Sequence, residues 1–330
     1  HLLFSVDRFA TGIGPMVPNV ASESLSGDSA TDVFMNTGAL LVAPMGPGPS
    51  VGHRGVLDGN GLVSGSGFTY PGLGMLEPSL PSSSPQNPGD NLDALDVLAV
   101  GATPGPVAYF SLDAAFPDPL SGFPNLASGT PYGATGASVL QANFGSPPVV
   151  WAPGFLLGLE TIGLADDLDA LILAENGDGV FQPSIVPYDW VGGTTDMLLF
   201  SVRRGSGVIG LPDSIFGIPI EEGDILTTPL PTSFGGVSPF PGIFIAAENL
   251  GLRTVRSGTA LGFGDDVNAL DHHVGGFADC DGDGVDDMVA IAMGFVLDVN
   301  VNGIPDPCEG GVVCTPLPNS TGWPTNMNIF

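Results

Sequence analysis

The sequence contains no lysine, and its six arginines face 35 acidic residues. The formal net charge is therefore −29 over 330 residues. A chain this acidic repels nucleic-acid phosphates and anionic lipid headgroups, so we expect no nucleic acid and no membrane surface as a partner. The absence of lysine also excludes P-loop phosphate binding and lysine Schiff-base chemistry.

Long apolar runs are absent as well, because none reaches the roughly 18 residues that a membrane-spanning helix needs. The only cysteines are Cys280, Cys308 and Cys314, too few for a disulfide scaffold. Neither the Gly-x-Ser-x-Gly motif of serine hydrolases nor the His-Glu-x-x-His motif of zinc proteases occurs. The sequence starts at His1 without a leader, so we expect a secreted or cell-surface protein whose signal peptide has been removed.

Glycine and proline are abundant instead, at 50 and 32 residues. In a chain poor in apolar residues this would indicate disorder, but 43% of the residues are hydrophobic. Short runs rich in β-branched and aromatic residues alternate with Gly/Pro clusters, which is typical of strands joined by turns. The composition therefore predicts an all-β protein.

Two phrases recur three times in the same order along the chain, which indicates repeated structural units. The Phe-Ser phrase, His-Leu-Leu-Phe-Ser-Val-Asp in its first copy, occupies residues 1–7, 107–113 and 197–203. The acidic phrase, Asp-Asp-Leu-Asp-Ala-Leu-Ile in its second copy, occupies residues 90–96, 166–172 and 265–271. We predict three related β-sandwich or barrel-like units and a C-terminal calcium-loop segment with a tail. Their predicted bounds are residues 1–100, 101–190, 191–275 and 276–330.

Each internal boundary between units has the signature of a β-hairpin. Residues 95–100 alternate in polarity, residues 101–106 are turn-forming, and residues 107–112 form the next β-prone run. The same order recurs between residues 170–173 and 197–202. We therefore predict that an acidic phrase pairs with the Phe-Ser phrase that follows it.

The two phrases together resemble a repeat found in large secreted proteins of environmental bacteria, a family without an assigned activity. The resemblance covers roughly residues 1–273. It implies an all-β fold and an extracellular location, and it brings no catalytic residues.

The strongest chemical signal is a pair of calcium-type loops near the C-terminus. The loop at residues 298–309 matches the twelve-residue calcium loop completely, with oxygen ligands at positions 1, 3, 5 and 9, glycine at 6 and a carboxylate at 12. Its predicted ligands are Asp298, Asn300, Asn302, the carbonyl of Ile304, Asp306 and Glu309. Those of the other loop are Asp279, Asp281, Asp283, the carbonyl of Val285 and Asp287.

The loop at residues 279–290 lacks the bidentate glutamate, because Ala290 stands at position 12. We therefore expect a ligand from another part of the protein to complete this calcium site. Hard oxygen ligands favour Ca²⁺ over zinc or copper. An Asp/Asn turn cluster without metal is the alternative for both loops. Residues 174–179 look like a decayed third copy, for which an ordinary turn is the better prediction.

Residues 279–309 resemble the calcium-loop repeats of dockerins and of thrombospondin type 3 domains. The resemblance implies that Cys280 and Cys308 form a matched pair, while a bridge from Cys308 to Cys314 is the competing choice. Both pairings stay open.

Calcium at these loops is expected to stabilise the fold rather than to act as a signal. Calcium at about 100 times its Kd would add about 2.7 kcal/mol per site. We expect chelation to lower the melting temperature and to open residues 279–309 to proteolysis. Calorimetry measures the melting temperature, and mass spectrometry identifies the sites of cleavage. An unchanged melting curve with chelator would contradict the calcium assignment.

Candidate catalytic groups are weak. An N-terminal His1 with His53, His272 or His273 could chelate copper as in secreted copper monooxygenases, but His1 aligns with the first residue of the other two Phe-Ser phrases. Carboxylate pairs, which a glycosidase would need, recur at the same place in every unit, as scaffold features do. We therefore predict that the protein is not an enzyme, with a copper monooxygenase as the third hypothesis.

Two non-enzymatic functions fit the sequence. One is an extracellular structural protein, such as a fibre or surface-layer subunit; the other is a calcium-dependent module that binds polysaccharide or another surface. The Phe-Ser strand at residues 1–6 has no acidic phrase before it, and the acidic phrase at 265–271 has no Phe-Ser phrase after it. These two strands either pair within one chain and close a ring, or pair between copies in a head-to-tail homopolymer, which we favour.

Overall fold

The computed structural model divides the chain into two compact parts, His1–Leu270 and Asp271–Phe330. All of the residues that it describes belong to the first part. They are residues 2–6, 10–12, 18–27, 29–36, 53–61, 71–76, 89–98, 107–113, 127–143, 146–161, 163, 165–186, 188–230 and 238–270.

The described elements are mostly strands, so the predicted all-β class is confirmed. The strands are β1 (Leu2–Phe4), β2 (Val33–Asn36), β3 (His53–Leu57), β4 (Leu92–Leu98), β5 (Val107–Leu112), β6 (Val139–Asn143), β7 (Val149–Ala152), β8 (Leu168–Ala174), β9 (Met197–Val202), β10 (Ile225–Thr227) and β11 (Gly242–Ile245). The helices are α1 (Val20–Ser26), α2 (Gly129–Tyr132) and the 3-10 turns Gly154–Leu157, Asp189–Gly192 and Ala247–Leu250. No helix within the described ranges is both long and apolar enough to cross a membrane.

The strands form three antiparallel sheets. The first sheet has the order β1-β2-β3, the second β4-β5-β6-β7 and the third β8-β9-β10-β11. The predicted hairpins are confirmed, because the acidic-phrase strands β4 and β8 pair with the Phe-Ser strands β5 and β9. The acidic phrases at residues 90–96 and 166–172 therefore belong to the sheet of the unit that follows each of them in the sequence.

The three sheets are stacked as layers, with one apolar core between each pair of adjacent sheets. One core joins the first and second sheets and includes Val33 and Phe110; the other joins the second and third sheets and includes Tyr109 and Phe200. Because successive residues of a strand face opposite sides of a sheet, the neighbours Tyr109 and Phe110 enter different cores. The second sheet therefore lies between the first and the third.

A left-handed glycine precedes each acidic phrase. Gly74, Gly158 and Gly251 have φ values of 78°, 78° and 77°, a region that residues with a side chain rarely adopt. At Gly158 a Cβ atom would also lie 2.6 Å from the Pro229 ring and 2.7 Å from the Pro241 nitrogen. The backbone conformation therefore favours glycine at all three positions, and at Gly158 the close contacts do so as well.

Candidate functional site: the junctions between repeat units

The acidic and Phe-Ser phrases meet at two junctions, β4 with β5 and β8 with β9, in one register. Opposed residues occupy equivalent positions in both junctions: Leu92 with Leu112 and Leu95 with Phe110 in the first, and Leu168 with Val202 and Leu171 with Phe200 in the second. An irregularity in the ladder follows Leu92 and Leu168, the same position of the phrase. The junction is therefore a repeated structural unit, including its β-bulge.

A buried serine hydroxyl links each junction to the next layer. Ser111 accepts a hydrogen bond from the Ala94 amide at 3.0 Å and donates one to the carbonyl of Leu168 at 3.2 Å. Ser201, at the same place in the next Phe-Ser strand, donates to the carbonyl of Val267 at 2.6 Å. Leu168 and Val267 are the third residues of their acidic phrases, so the serine makes the same interlayer contact twice.

The first aspartate of the acidic phrase binds backbone amides of neighbouring segments. Asp90 accepts from the amide and the hydroxyl of Ser128 at 2.8 and 2.7 Å. Asp166 accepts from the amides of Glu160 and Val208 at 2.6 and 2.8 Å. These bonds hold loops to the end of the strand, which is a structural role for the carboxylates that recur along the sequence.

Carboxylates accumulate where the second and third sheets meet. Arg203 donates to Asp113 and, at 3.3 Å, to Asp167. Burial, reinforced by these and other carboxylates, raises the pKa of Asp93 well above its usual range. Burial is also the main reason that the pKa of Asp169 rises to about 6. Arg203, and Arg204 in the case of Asp169, offset the burial and the neighbouring negative charges only in part, so these carboxyls take up protons more readily than ordinary ones.

We expect Asp169→Asn to raise the free energy of unfolding at pH 7 by about 2 kcal/mol. The side chain is 5% exposed, and its Oδ2 has no hydrogen-bond partner. Because the pKa of Asp169 is raised on folding, its stabilising contribution is present below about pH 4 and is lost as the pH rises through about 6. The gain from Asp169→Asn should therefore vanish near pH 4.

Urea unfolding between pH 4 and pH 8 measures the effect of Asp169→Asn, with Asp169→Glu as the control that keeps an ionisable group. The Glu variant should keep the slope of stability against pH that the Asn variant loses. An Asn variant with the wild-type slope would contradict the assignment.

The first sheet differs from the other two at one edge. By its sequence phrase and its place in the sheet, β1 corresponds to β5 and β9, and it pairs with β2 as they pair with β6 and β10. Beside β5 and β9 lie the acidic-phrase strands β4 and β8. Beside β1, in the part of the chain that the structure describes, no strand takes this place.

The predicted calcium ligands between Asp279 and Glu309 lie outside the described residues, as do His1, His272, His273 and the three cysteines. His53 begins β3. Among the residues that are described, no three His, Cys, Asp or Glu side chains are grouped so that they could hold a metal ion.

Residues 174–179, for which an ordinary turn is the better prediction, form hydrogen bonds within the turn. The carboxylate of Glu175 accepts from the amides of Gly177 and Gly179, and Asn176 Oδ1 accepts from the amide of Asp178. The side-chain oxygens point at the turn's own backbone, as in an Asx-type turn.

Large aromatic platforms, which would favour polysaccharide binding, are poorly presented by the described tryptophans. Trp151 is 6% exposed and packs between Tyr109 and Phe181. Trp190 is 9% exposed. Neither ring offers an open face to a sugar.

Comparisons with protein-family models, with curated proteins and with solved structures gave no match. The junctions therefore have to be interpreted from their own geometry. Sequence reasoning found the hairpins but missed the serine bridge and the arginine–carboxylate cluster. The repeated serine in Phe-Ser-Val or Phe-Ser-Leu was the available signal, since an apolar strand has no other reason to keep a hydroxyl at one fixed position.

Proposed function

We propose that this protein is an extracellular structural protein that assembles head to tail into a fibre or surface layer. Copies join through the strand at residues 1–6, and calcium at residues 279–309 stabilises the subunit. The observation that carries the proposal is the first sheet, which has a Phe-Ser strand but, within the described residues, no acidic-phrase strand beside it. Open strand edges attract other chains unless they are covered or used.

Addition of a strand from a neighbouring copy would give the first sheet the composition of the other two. This mode of assembly derives its affinity from main-chain hydrogen bonds and its specificity from alternate side chains. A contact that joins β1 of one copy to a different segment of the next copy is heterologous, and such contacts produce open filaments when the rotation between copies does not close a ring. In the part of the chain that the structure describes, β1 pairs with β2 and no pairing of β1 with residues 265–270 is present. We therefore propose pairing between copies rather than ring closure within one chain.

The charge of the chain also suits assembly from the ends. A net charge of −29 opposes side-by-side association of copies, while the apolar strand at residues 2–4 carries no charge. Growth would therefore favour the strand edge over the acidic flanks. Higher salt should thicken filaments by screening the flanks.

We expect deletion of residues 1–9 to abolish assembly and to leave folded monomers. The deletion removes the strand that would receive the neighbour, while the second and third sheets keep their pairing partners. Negative-stain microscopy and light scattering measure assembly, and circular dichroism checks the fold. Filaments of the deletion variant would contradict the proposal, and so would a full-length protein that stays monomeric at every concentration with calcium present.

A further inference from the structure

Building on the proposed function, we infer which segment of the neighbouring copy completes the first sheet. Residues 265–270 of one copy lie antiparallel to β1 of the next, with Val267 opposite Val6 and Leu270 opposite Phe4. The partner is thus a second copy of this chain, held in one defined register.

The register follows from the two junctions within the chain. The third residue of the acidic phrase lies opposite the residue after the serine, as Leu168 lies opposite Val202. The sixth lies opposite the phenylalanine, as Leu171 lies opposite Phe200. The junction of β4 with β5 repeats both pairings. Transferred to the third acidic phrase and the first Phe-Ser phrase, these rules give Val267 with Val6 and Leu270 with Phe4.

Residues 3–6 are less buried than their equivalents in β5 and β9. Phe110 and Phe200 are completely buried, whereas the equivalent Phe4 is only partly buried. The same holds for residues 3, 5 and 6, each of which is partly exposed where its two equivalents are buried. Since the sequence phrase is nearly the same in all three copies, the difference lies in what covers the strand.

The third acidic phrase is likewise less buried than the first two. Ala94 and Ala170 are each 2% exposed, but the equivalent Ala269 is exposed. Leu261, four residues before the phrase, is 101% exposed, and Phe263 is 65% exposed. An exposed apolar surface beside a segment that pairs with no strand in the described part of the chain fits a protein partner rather than solvent.

The acidic phrase is already held in place for this pairing. The Val267 carbonyl accepts the Ser201 hydroxyl just as the Leu168 carbonyl accepts that of Ser111. Asp265 accepts from the amide of Arg253 at 2.9 Å, which ties the start of the phrase to the chain before it. Preorganisation of this kind reduces the entropy that binding costs.

The low burial of both β1 and the third acidic phrase favours a second copy of this chain over an unrelated partner. An unrelated strand could pair with β1 through its backbone, but it would need the apolar spacing of the acidic phrase to cover residues 3–6. Residues 267–270 have that spacing, because the same spacing buries β5 and β9 in two other places.

Cysteine cross-linking between copies tests the register. One copy carries Val6→Cys and a differently tagged copy carries Val267→Cys, and the two are assembled together and mildly oxidised. Residues directly opposite on paired strands have Cβ atoms about 5 Å apart, within adjustment of a disulfide. The control replaces Val6→Cys with Phe4→Cys, which moves the thiol about 7 Å along the strand.

We expect about tenfold more cross-linked dimer with Cys at position 6 than at position 4. Peptide mapping must locate the link between positions 6 and 267, because the chain has three native cysteines. Filaments that form without this link, or that link through position 4, overturn the register but leave the proposed function standing. Absence of any assembly by the wild-type protein overturns both. If a monomer that carries both Val6→Cys and Val267→Cys forms the disulfide within its own chain, the partner of β1 is not a second copy, and the inference is wrong.

Discussion

Replacing Arg256 with methionine is expected to lower the free energy of unfolding at pH 7 by about 4 kcal/mol. The guanidinium is 12% exposed and binds Asp224, which is wholly buried, through both Nη atoms at 2.8 and 2.9 Å. It also binds Glu248 at 2.6 Å. Removal of the arginine leaves the buried Asp224 carboxylate without its cation, which is the costly way to break an ion pair.

The pH dependence of the Arg256→Met variant provides a second signature. Hydrogen bonding from Arg256 is the main reason that the pKa of Glu248 is lowered to about 2. A lowered pKa adds stability that is present above about pH 4.5 and is lost as the pH falls towards about 2. The cost of Arg256→Met should therefore shrink in acid.

Guanidinium unfolding at pH 7 and pH 3 measures the Arg256 effect, with Arg256→Lys as the matched control. Lysine keeps the charge but cannot form the two parallel bonds to one carboxylate, so we expect an intermediate loss. A methionine variant as stable as the wild type would show that the Asp224 carboxylate does not depend on this arginine.

Replacing Arg203 with methionine is expected to cost about 3 kcal/mol at pH 7. Arg203 binds Asp113 and the fully buried Asp167, and its charge also opposes the raised pKa of Asp93. The side chain is 32% exposed, which places its effect below that of Arg256. The variant removes positive charge from a group of buried carboxylates between two layers.

A rescue experiment makes the Arg203 prediction specific. Adding Asp167→Asn to Arg203→Met removes one of the negative charges that Arg203 offset, so it should restore part of the lost stability. Arg253→Met is the control, because the pair of Arg253 with Asp265 is largely exposed and its loss should cost less than about 1 kcal/mol. An Arg203→Met variant that loses no more than this control would contradict the cluster's role.

The strand pairings could be predicted because they depend on local pattern. The alternation of residues 95–100, the Gly/Pro turn and the Phe-Ser run together specify a hairpin, and β4 pairs with β5 accordingly. The all-β class follows from the same signals repeated along the chain.

The interlayer contacts could not be predicted, because they depend on which sheet faces which. Ser111 and Leu168 are separated by 57 positions, and Arg203 and Asp113 by 90. No periodicity connects such residues. The recurrence of the acidic residues indicated a scaffold role, but it did not indicate that Asp167 and Asp169 are 0% and 5% exposed. Burial of these carboxylates becomes understandable only once Arg203 is seen to arrive from the neighbouring strand.

The three layers of the fold set an axial period for any polymer built through them. Packed sheets lie about 10 Å apart, so a copy that contributes three layers advances the assembly by about 30 Å. If the contact between copies repeats the internal junctions, every interlayer step along the fibre is nearly the same. Its diffraction would then be strong near 10 Å along the axis and weak at the subunit spacing, and a micrograph would show a smooth rod rather than a string of beads.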